Sequence, residues 1–213
     1  MKFCVIGLGR FGFSVAEKLG ENGMEVLAID SNVAIIESIK DKVTQAICMR
    51  VTEEESLRSI GIDEMDTVIV SMGEDFAQSI LLTALLKKHL NIPHVIARAT
   101  NKIHANILKL VGADQIVSPE EERGVRLANN LSFPFVDLVN VTDKFSITQI
   151  EAPEVFVGKT IEELHLRKTH HVSCLGVKKG EEIVIIDYNY VILEADQLIF
   201  AGENNALEAL VRL

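Results

Sequence analysis

Three glycines, Gly7, Gly9 and Gly12, with Arg10 and Phe11 between the last two, form the part of this chain whose spacing most directly implies chemistry. A G-x-G-x-x-G turn between a strand and a helix brings the backbone close to a diphosphate. Gly7 would permit the tight turn, Gly9 the close approach, and Gly12 the packing of the helix against the strand. The helix N-terminus behind such a turn offers unpaired N–H groups and partial positive charge to phosphates. Asp30 ends the next apolar run, about 20 residues on, where a carboxylate accepts hydrogen bonds from ribose hydroxyls. It also repels a 2′-phosphate, which disfavours NADP; Ser31 beside it is a further candidate contact.

The fingerprint does not separate NAD from ATP or ADP. Arg10 in the phosphate turn suits a more highly charged polyphosphate, because a guanidinium forms charge-assisted bonds with phosphate oxygens. Arg98 falls at the carboxyl end of a later strand, the edge at which ligands of such sheets bind. Glu120, in the first turn of a helix, would hold a divalent cation bridging phosphates or else serve only the helix dipole. The candidate contacts are therefore Gly7, Gly9, Arg10, Phe11, Gly12, Asp30, Ser31 and Arg98, with Glu120 as candidate cation ligand.

No other constellation carries chemistry. The six histidines have no metal-ligand spacing and no evident triad partner. His170-His171 reads as part of a strand, so the two rings point opposite ways. Ser71-Met72-Gly73-Glu74-Asp75 reads as a loop ending in a helix cap, not a nucleophile elbow. Cys4, Cys48 and Cys174 are odd in number and far apart, with no disulfide framework, and read as small core residues in a reducing compartment.

The elements that would hold the fingerprint alternate from the first residue to about residue 130. Runs at 2–6, 25–29, 45–49, 67–70, 94–97 and 115–117 are short, apolar and rich in β-branched residues. Segments with apolar residues at helical spacing separate them. Near-continuous apolar strands alternating with helices imply a parallel sheet covered on both faces, hence an α/β doubly wound Rossmann-type domain. Thr52-Glu53-Glu54-Glu55 reads as a capping box, and Ser118-Pro119-Glu120-Glu121 repeats the device with proline at the first helical position. Leu131-Ser132-Phe133-Pro134 breaks the last helix. Runs at 145–150, 172–178, 182–186 and 197–201 then follow, with a hairpin turn at Lys178-Lys179-Gly180-Glu181 and a closing helix over 203–213. The expected division is a nucleotide-binding domain over 1–132 and a small α+β domain over 133–213.

The 213 residues are 48% hydrophobic and 24% charged, ample for a packed core, which excludes disorder. Net charge is −10, and an acidic surface repels nucleic-acid backbones. No apolar stretch is long enough for a membrane span or signal peptide, so a cytoplasmic protein is expected.

Val5-Ile6-Gly7-Leu8-Gly9-Arg10-Phe11-Gly12, followed by Val26-Leu27-Ala28-Ile29-Asp30, resembles the start of the RCK proteins (regulators of conductance of potassium). Ala97-Arg98-Ala99, Gly112-Ala113-Asp114 and Ser118-Pro119-Glu120 extend the likeness. In the tail, Val157-Gly158-Lys159-Thr160-Ile161 with Leu164, and Ala195-Asp196-Gln197-Leu198, resemble the family's C-terminal domain. The resemblance implies a non-enzymatic cytosolic subunit at the inner face of the membrane, forming an octameric ring beneath a membrane potassium-translocating subunit. It implies ATP or ADP, in some members NAD(H), in the Rossmann cleft, with nucleotide identity setting the ring's shape. By position, Gly7, Gly9, Arg10 and Gly12 would hold phosphates, Asp30 the ribose, Arg98 a further phosphate and Glu120 a cation. The helix around 123–130 would be the crossover that exchanges between protomers. Two departures stand out. Cys48-Met49-Arg50-Val51-Thr52 replaces the small residue and Asp or Asn usual near the adenine. In relatives that bind cyclic di-AMP between paired C-terminal domains, an arginine matches Arg167, but an apolar residue stands where this chain has Glu162.

The rival readings are a small NAD-dependent oxidoreductase, for which no general acid or base is evident, and an NADH redox sensor acting on DNA, for which no basic helix exists.

Overall fold

Strands that are apolar on both sides can be buried only between two layers of helices, and the first half of the chain is built so. The computed structural model describes residues 1–51, 54–73, 75–132, 137–142 and 144–213. By packing they form two units, Met1–Glu121 and Glu122–Leu213. In the first, β1 (Lys2–Ile6), β2 (Glu25–Asp30), β3 (Gln45–Cys48), β4 (Thr67–Val70), β5 (His94–Arg98) and β6 (Gln115–Val117) form a parallel sheet ordered β3-β2-β1-β4-β5-β6.

Successive side chains of a strand point to opposite faces. Cys4 and Ile6 therefore join Leu27, Ile29, Val68 and Val70 in one buried layer, while Val5 joins Ala28 and Ile69 in the other. α1 (Arg10–Glu21) and α2 (Val33–Ile39) close the second layer with Ala16, Ile36 and Ile39. α3 (Glu54–Ser59), α4 (Phe76–Lys88) and α5 (Lys102–Val111) close the first with Leu57, Leu82, Leu86 and Leu108. The connections reverse direction between β1 and β4, so a crevice opens there at the strands' carboxyl ends.

Several sequence signals map onto this unit as hardware of the fold. Asp75 caps α4 by accepting the Gln78 N–H at 2.9 Å. Gly112 ends α5 in the left-handed region at φ 110°, which glycine adopts without steric penalty. Asp114 just after it accepts the Val95 N–H at 2.6 Å and pairs with Lys87 at 2.9 Å, tying α4 to β5. Gly112-Ala113-Asp114 is thus a structural clasp. The helix opened by Ser118, α6 (Pro119–Ser132), starts at its proline as read and runs across the division between the units. Thr52 and Glu53 of the first capping box, Glu74 of the loop after β4, and Phe133-Pro134 lie outside the described residues.

The second unit contains an antiparallel sheet ordered β10-β9-β11-β8-β7. Its strands are β7 (Asp137–Asn140), β8 (Phe145–Glu151), β9 (Val172–Lys179), β10 (Glu182–Ile185) and β11 (Gln197–Glu203), with α7 (Leu166–Thr169) and a closing α8 (Asn204–Val211). Ile150, Phe156, Leu166, Val177, Leu198, Phe200, Leu207 and Leu210 form its core. The β9–β10 hairpin turns at Gly180, φ 65°.

Three expectations need correction. β7 is an additional strand; its four residues begin with Asp and end with Asn, types depleted in strands, so little signal precedes it. His170-His171 lies in the turn after α7, with His171 at φ 56°, and not in β9. Cys48 is exposed rather than core, because it ends the edge strand β3; Cys4 alone of the three is buried.

Candidate functional site

The crevice at the switch point is a cleft of about 1030 Å³. Gly7, Gly9, Arg10, Phe11, Asp30, Ser31, Arg98 and Glu120 all line it, although they come from four separate segments. Gly12 is not on its wall. A methyl group there would meet the Gly7 carbonyl oxygen at 2.0 Å and Ser71 Oγ at 2.8 Å, so Gly12 lets α1 lie against the turn. Gly7 holds the turn itself at φ 88°. Gly9 differs from both: a methyl group there would find no protein atom within 4 Å. Nothing in the fold requires glycine at position 9, and what it keeps clear is the cleft.

The N-terminus of α1 opens onto that clearance. Asn32, Asp75 and Asn101 each cap their helices with a side-chain oxygen, whereas Gly9 offers α1 none, and its first turn contains no acidic residue. Unsatisfied N–H groups and uncompensated positive dipole therefore face the cleft. Asp30 lies across the turn. Its Oδ2 accepts the Leu8 N–H at 2.7 Å and its Oδ1 accepts the Asn32 N–H at 2.8 Å. A carboxylate has about four acceptor sites, so this clamp leaves room for two hydroxyls.

Arg10 and Arg50 are exposed, and neither makes an ion pair among the described residues. Arg98 is different: its side chain is only 17% exposed and its Nη2 donates to Glu120 Oε1 at 2.5 Å. Its buried Nε has no hydrogen-bond partner. The candidate phosphate contact and the candidate cation ligand are thus paired with each other. Among the described residues, no cluster of three or more His, Cys, Asp or Glu side chains could hold a metal. Glu120 would contribute to a cation only alongside oxygens brought by a ligand.

Sequence reasoning missed Asn32, Met72, Gly73, Asp75 and Gln78 as cleft residues, while Met49, Arg50 and Val51 stand where the RCK resemblance puts the adenine. They follow the carboxyl ends of β2, β3 and β4, so the binding rule for open parallel sheets could have found them. Gln78 Nε2 donates to the Val51 carbonyl at 2.6 Å and fixes one wall. Ser71, 2% exposed, lines the cleft with an Oγ that has no partner. The described lining contains no His, Lys, Tyr or Cys; its titratable acids are Asp30, Asp75 and Glu120.

A second cavity, of about 500 Å³, lies in the C-terminal unit between Ile161, Leu166, Val172 and Ile186, with Glu162, Arg167 and Tyr188 at its wall. Arg167 Nε donates to Ser173 Oγ at 3.1 Å. Glu162 is exposed there, so the desolvation penalty of a buried carboxylate does not arise. Burial pushes the Cys174 thiol up to about 11, which leaves it protonated and unreactive at neutral pH.

The TrkA-N domain family matches residues 3–119, and the TrkA-C domain family matches residues 148–213. The chain belongs to the TrkA family. Among its relatives, the Ktr system potassium uptake protein A of Bacillus subtilis (strain 168) is 34% identical over 209 residues, covering 97% of this chain and 94% of that protein. The GsuK channel bound to NAD shares the fold at a TM-score of 0.55 and 23% identity over 99% of this TrkA-family chain, which spans 38% of the channel chain. GsuK bound to ADP matches 61% of this chain at TM-score 0.53 and 27% identity, with 33% of that chain covered. The glycine fingerprint lies within the stretch that the TrkA-N domain family matches. Among the described residues, no helix is long and apolar enough to cross a membrane.

Proposed function

We propose that this TrkA-family chain is the nucleotide-responsive regulatory subunit of a potassium-uptake system, binding ADP or ATP, with NAD(H) as the alternative, in the N-terminal cleft. The carrying observation is the uncapped N-terminus of α1, facing the space that Gly9 leaves clear. A diphosphate supplies the acceptors those N–H groups lack, and Asp30, already oriented by two backbone donors, receives the ribose. ADP in one GsuK structure and NAD in another support both ligand classes. Arg10, exposed and unpaired among the described residues, is the group to sense a third phosphate. Glu120, joined by phosphate oxygens, would take a divalent cation in the nucleotide-bound state.

In this reading residues 1–132 bind the nucleotide and residues 133–213 regulate. The chain acts in the cytoplasm as a homo-oligomeric ring, octameric as the RCK resemblance implies, against a membrane potassium-translocating subunit. Ligands shift the ring between conformations only by their differential affinity for them. Cyclic di-AMP would act at the second cavity, where Arg167 offers a cation and Glu162 opposes a dianion. Titration calorimetry with ADP, ATP, NADH, NADPH and cyclic di-AMP tests the ligand reading. ADP or ATP binding with weak NADPH binding supports it, and NADH binding without ADP or ATP binding would favour a redox sensor.

A further inference from the structure

The Arg98–Glu120 pair is an incomplete arrangement. Arg98 ends β5 with a guanidinium folded beneath Gly73, where a methyl group would come within 2.9 Å of Nη1 and 3.2 Å of Cζ. Of its five N–H donors, one on Nη2 reaches Glu120 Oε1, while the Nε hydrogen is buried without a partner. A buried charged donor left unpaired is costly, and one carboxylate oxygen on one nitrogen does not satisfy a fork. A phosphate, with several oxygens at one centre, can engage Nε and Nη2 together. Glu120 is 67% exposed and, among the described residues, its side chain pairs with Arg98 alone, so water can solvate it once displaced.

We propose that Glu120 is a built-in competitor: an internal anion that occupies Arg98 until a ligand phosphate takes it. Resting on the nucleotide reading above, this assigns Glu120 a negative role in affinity. It also gives ligand binding a first mechanical consequence. Glu120 is the second residue of α6, and losing Arg98 unties the first turn of that helix from β5. Competition of this kind is reciprocal: whatever holds Glu120 away from Arg98 strengthens phosphate binding by the same factor.

The test is calorimetric titration of ADP into the full chain in a chelating buffer, so that no cation contributes. Three proteins are compared: wild type, Glu120→Gln and Glu121→Gln. The last removes the same charge one residue away, from a side chain that faces Lys102 at 3.8 Å and does not line the cleft. Glu120→Gln is expected to bind ADP about five-fold tighter, and Glu121→Gln to stay within about two-fold of wild type. Unchanged or weaker binding by Glu120→Gln, with wild type binding normally, would overturn the competitor role and leave the nucleotide reading standing. An equal gain from Glu121→Gln would also overturn it, by tracing the effect to the general field. If none of the three bound ADP, the nucleotide reading itself would fall and the competitor with it.

Discussion

The N-terminal cleft and the cavity of the C-terminal unit are made by opposite means. The N-terminal cleft lies at the ends of parallel strands, and its chemistry is largely backbone: a helix terminus without a cap, a turn cleared of side chains, a carboxylate held by amides. The C-terminal cavity is walled by side chains, Ile161, Leu166, Val172 and Ile186, with Arg167 and Glu162 at its wall. A backbone site needs particular residues at fixed spacing, because only glycine tolerates some of its positions. A side-chain site can be built from many residue combinations, and so leaves no spacing to read. The first therefore announces a phosphate ligand, while the second announces only an apolar surface with mixed charge.

The sharpest way to break this comparison is to damage one unit and question the other. Phe200, fully buried in the second core, should cost about 3–5 kcal/mol when changed to Ala, by urea unfolding of the C-terminal signal. ADP affinity should stay within about two-fold if the backbone site is self-sufficient. Within the fingerprint, Gly12→Ala should cost about 3 kcal/mol, since its methyl group meets backbone oxygen at 2.0 Å. Gly9→Ala should change stability by less than about 1 kcal/mol yet weaken ADP at least about ten-fold. Equal stability losses for the two would erase the distinction between packing and binding glycines.

Smaller effects test the charges. Arg10→Ala should reduce the ATP-to-ADP affinity ratio by about ten-fold, the low end for a charge-assisted hydrogen bond of about 1.5 kcal/mol. An unchanged ratio would remove Arg10 from phosphate sensing. Asp114 should matter for the fold alone. Burial raises its pKa, but the Val95 N–H and Lys87 outweigh that and hold the carboxyl below its ordinary range. A depressed folded value means its stabilisation is present above the ordinary value and is lost as pH falls through the depressed one. Asp114→Asn should therefore cost about 1 kcal/mol at pH 7 by thermal unfolding, a difference closing below about pH 4. Nucleotide affinity should not follow it.

The six parallel strands and the glycine turn were legible because both impose local rules: apolar runs for doubly covered strands, glycine where a side chain cannot fit. What escaped was long-range. Arg98 and Glu120 were each visible as a candidate, but their pairing depends on β5 ending beside the start of α6, 22 residues on in sequence. Met72, Gly73 and Gln78 joined the cleft only through sheet order, which no single segment encodes. Cys48 was misread because exposure at an edge strand depends on which strand is the edge. His171 was misread because left-handed backbone at a non-glycine residue has no sequence signature.

The most direct measurement is the titration of ADP into wild-type protein and Gly9→Val, with thermal unfolding of both. One saturable site per chain is expected in wild type, lost in the variant, with little change in melting temperature, because a β-carbon at position 9 meets no protein atom within 4 Å. Equal ADP binding by the two proteins, or none by a folded wild type, would contradict this expectation.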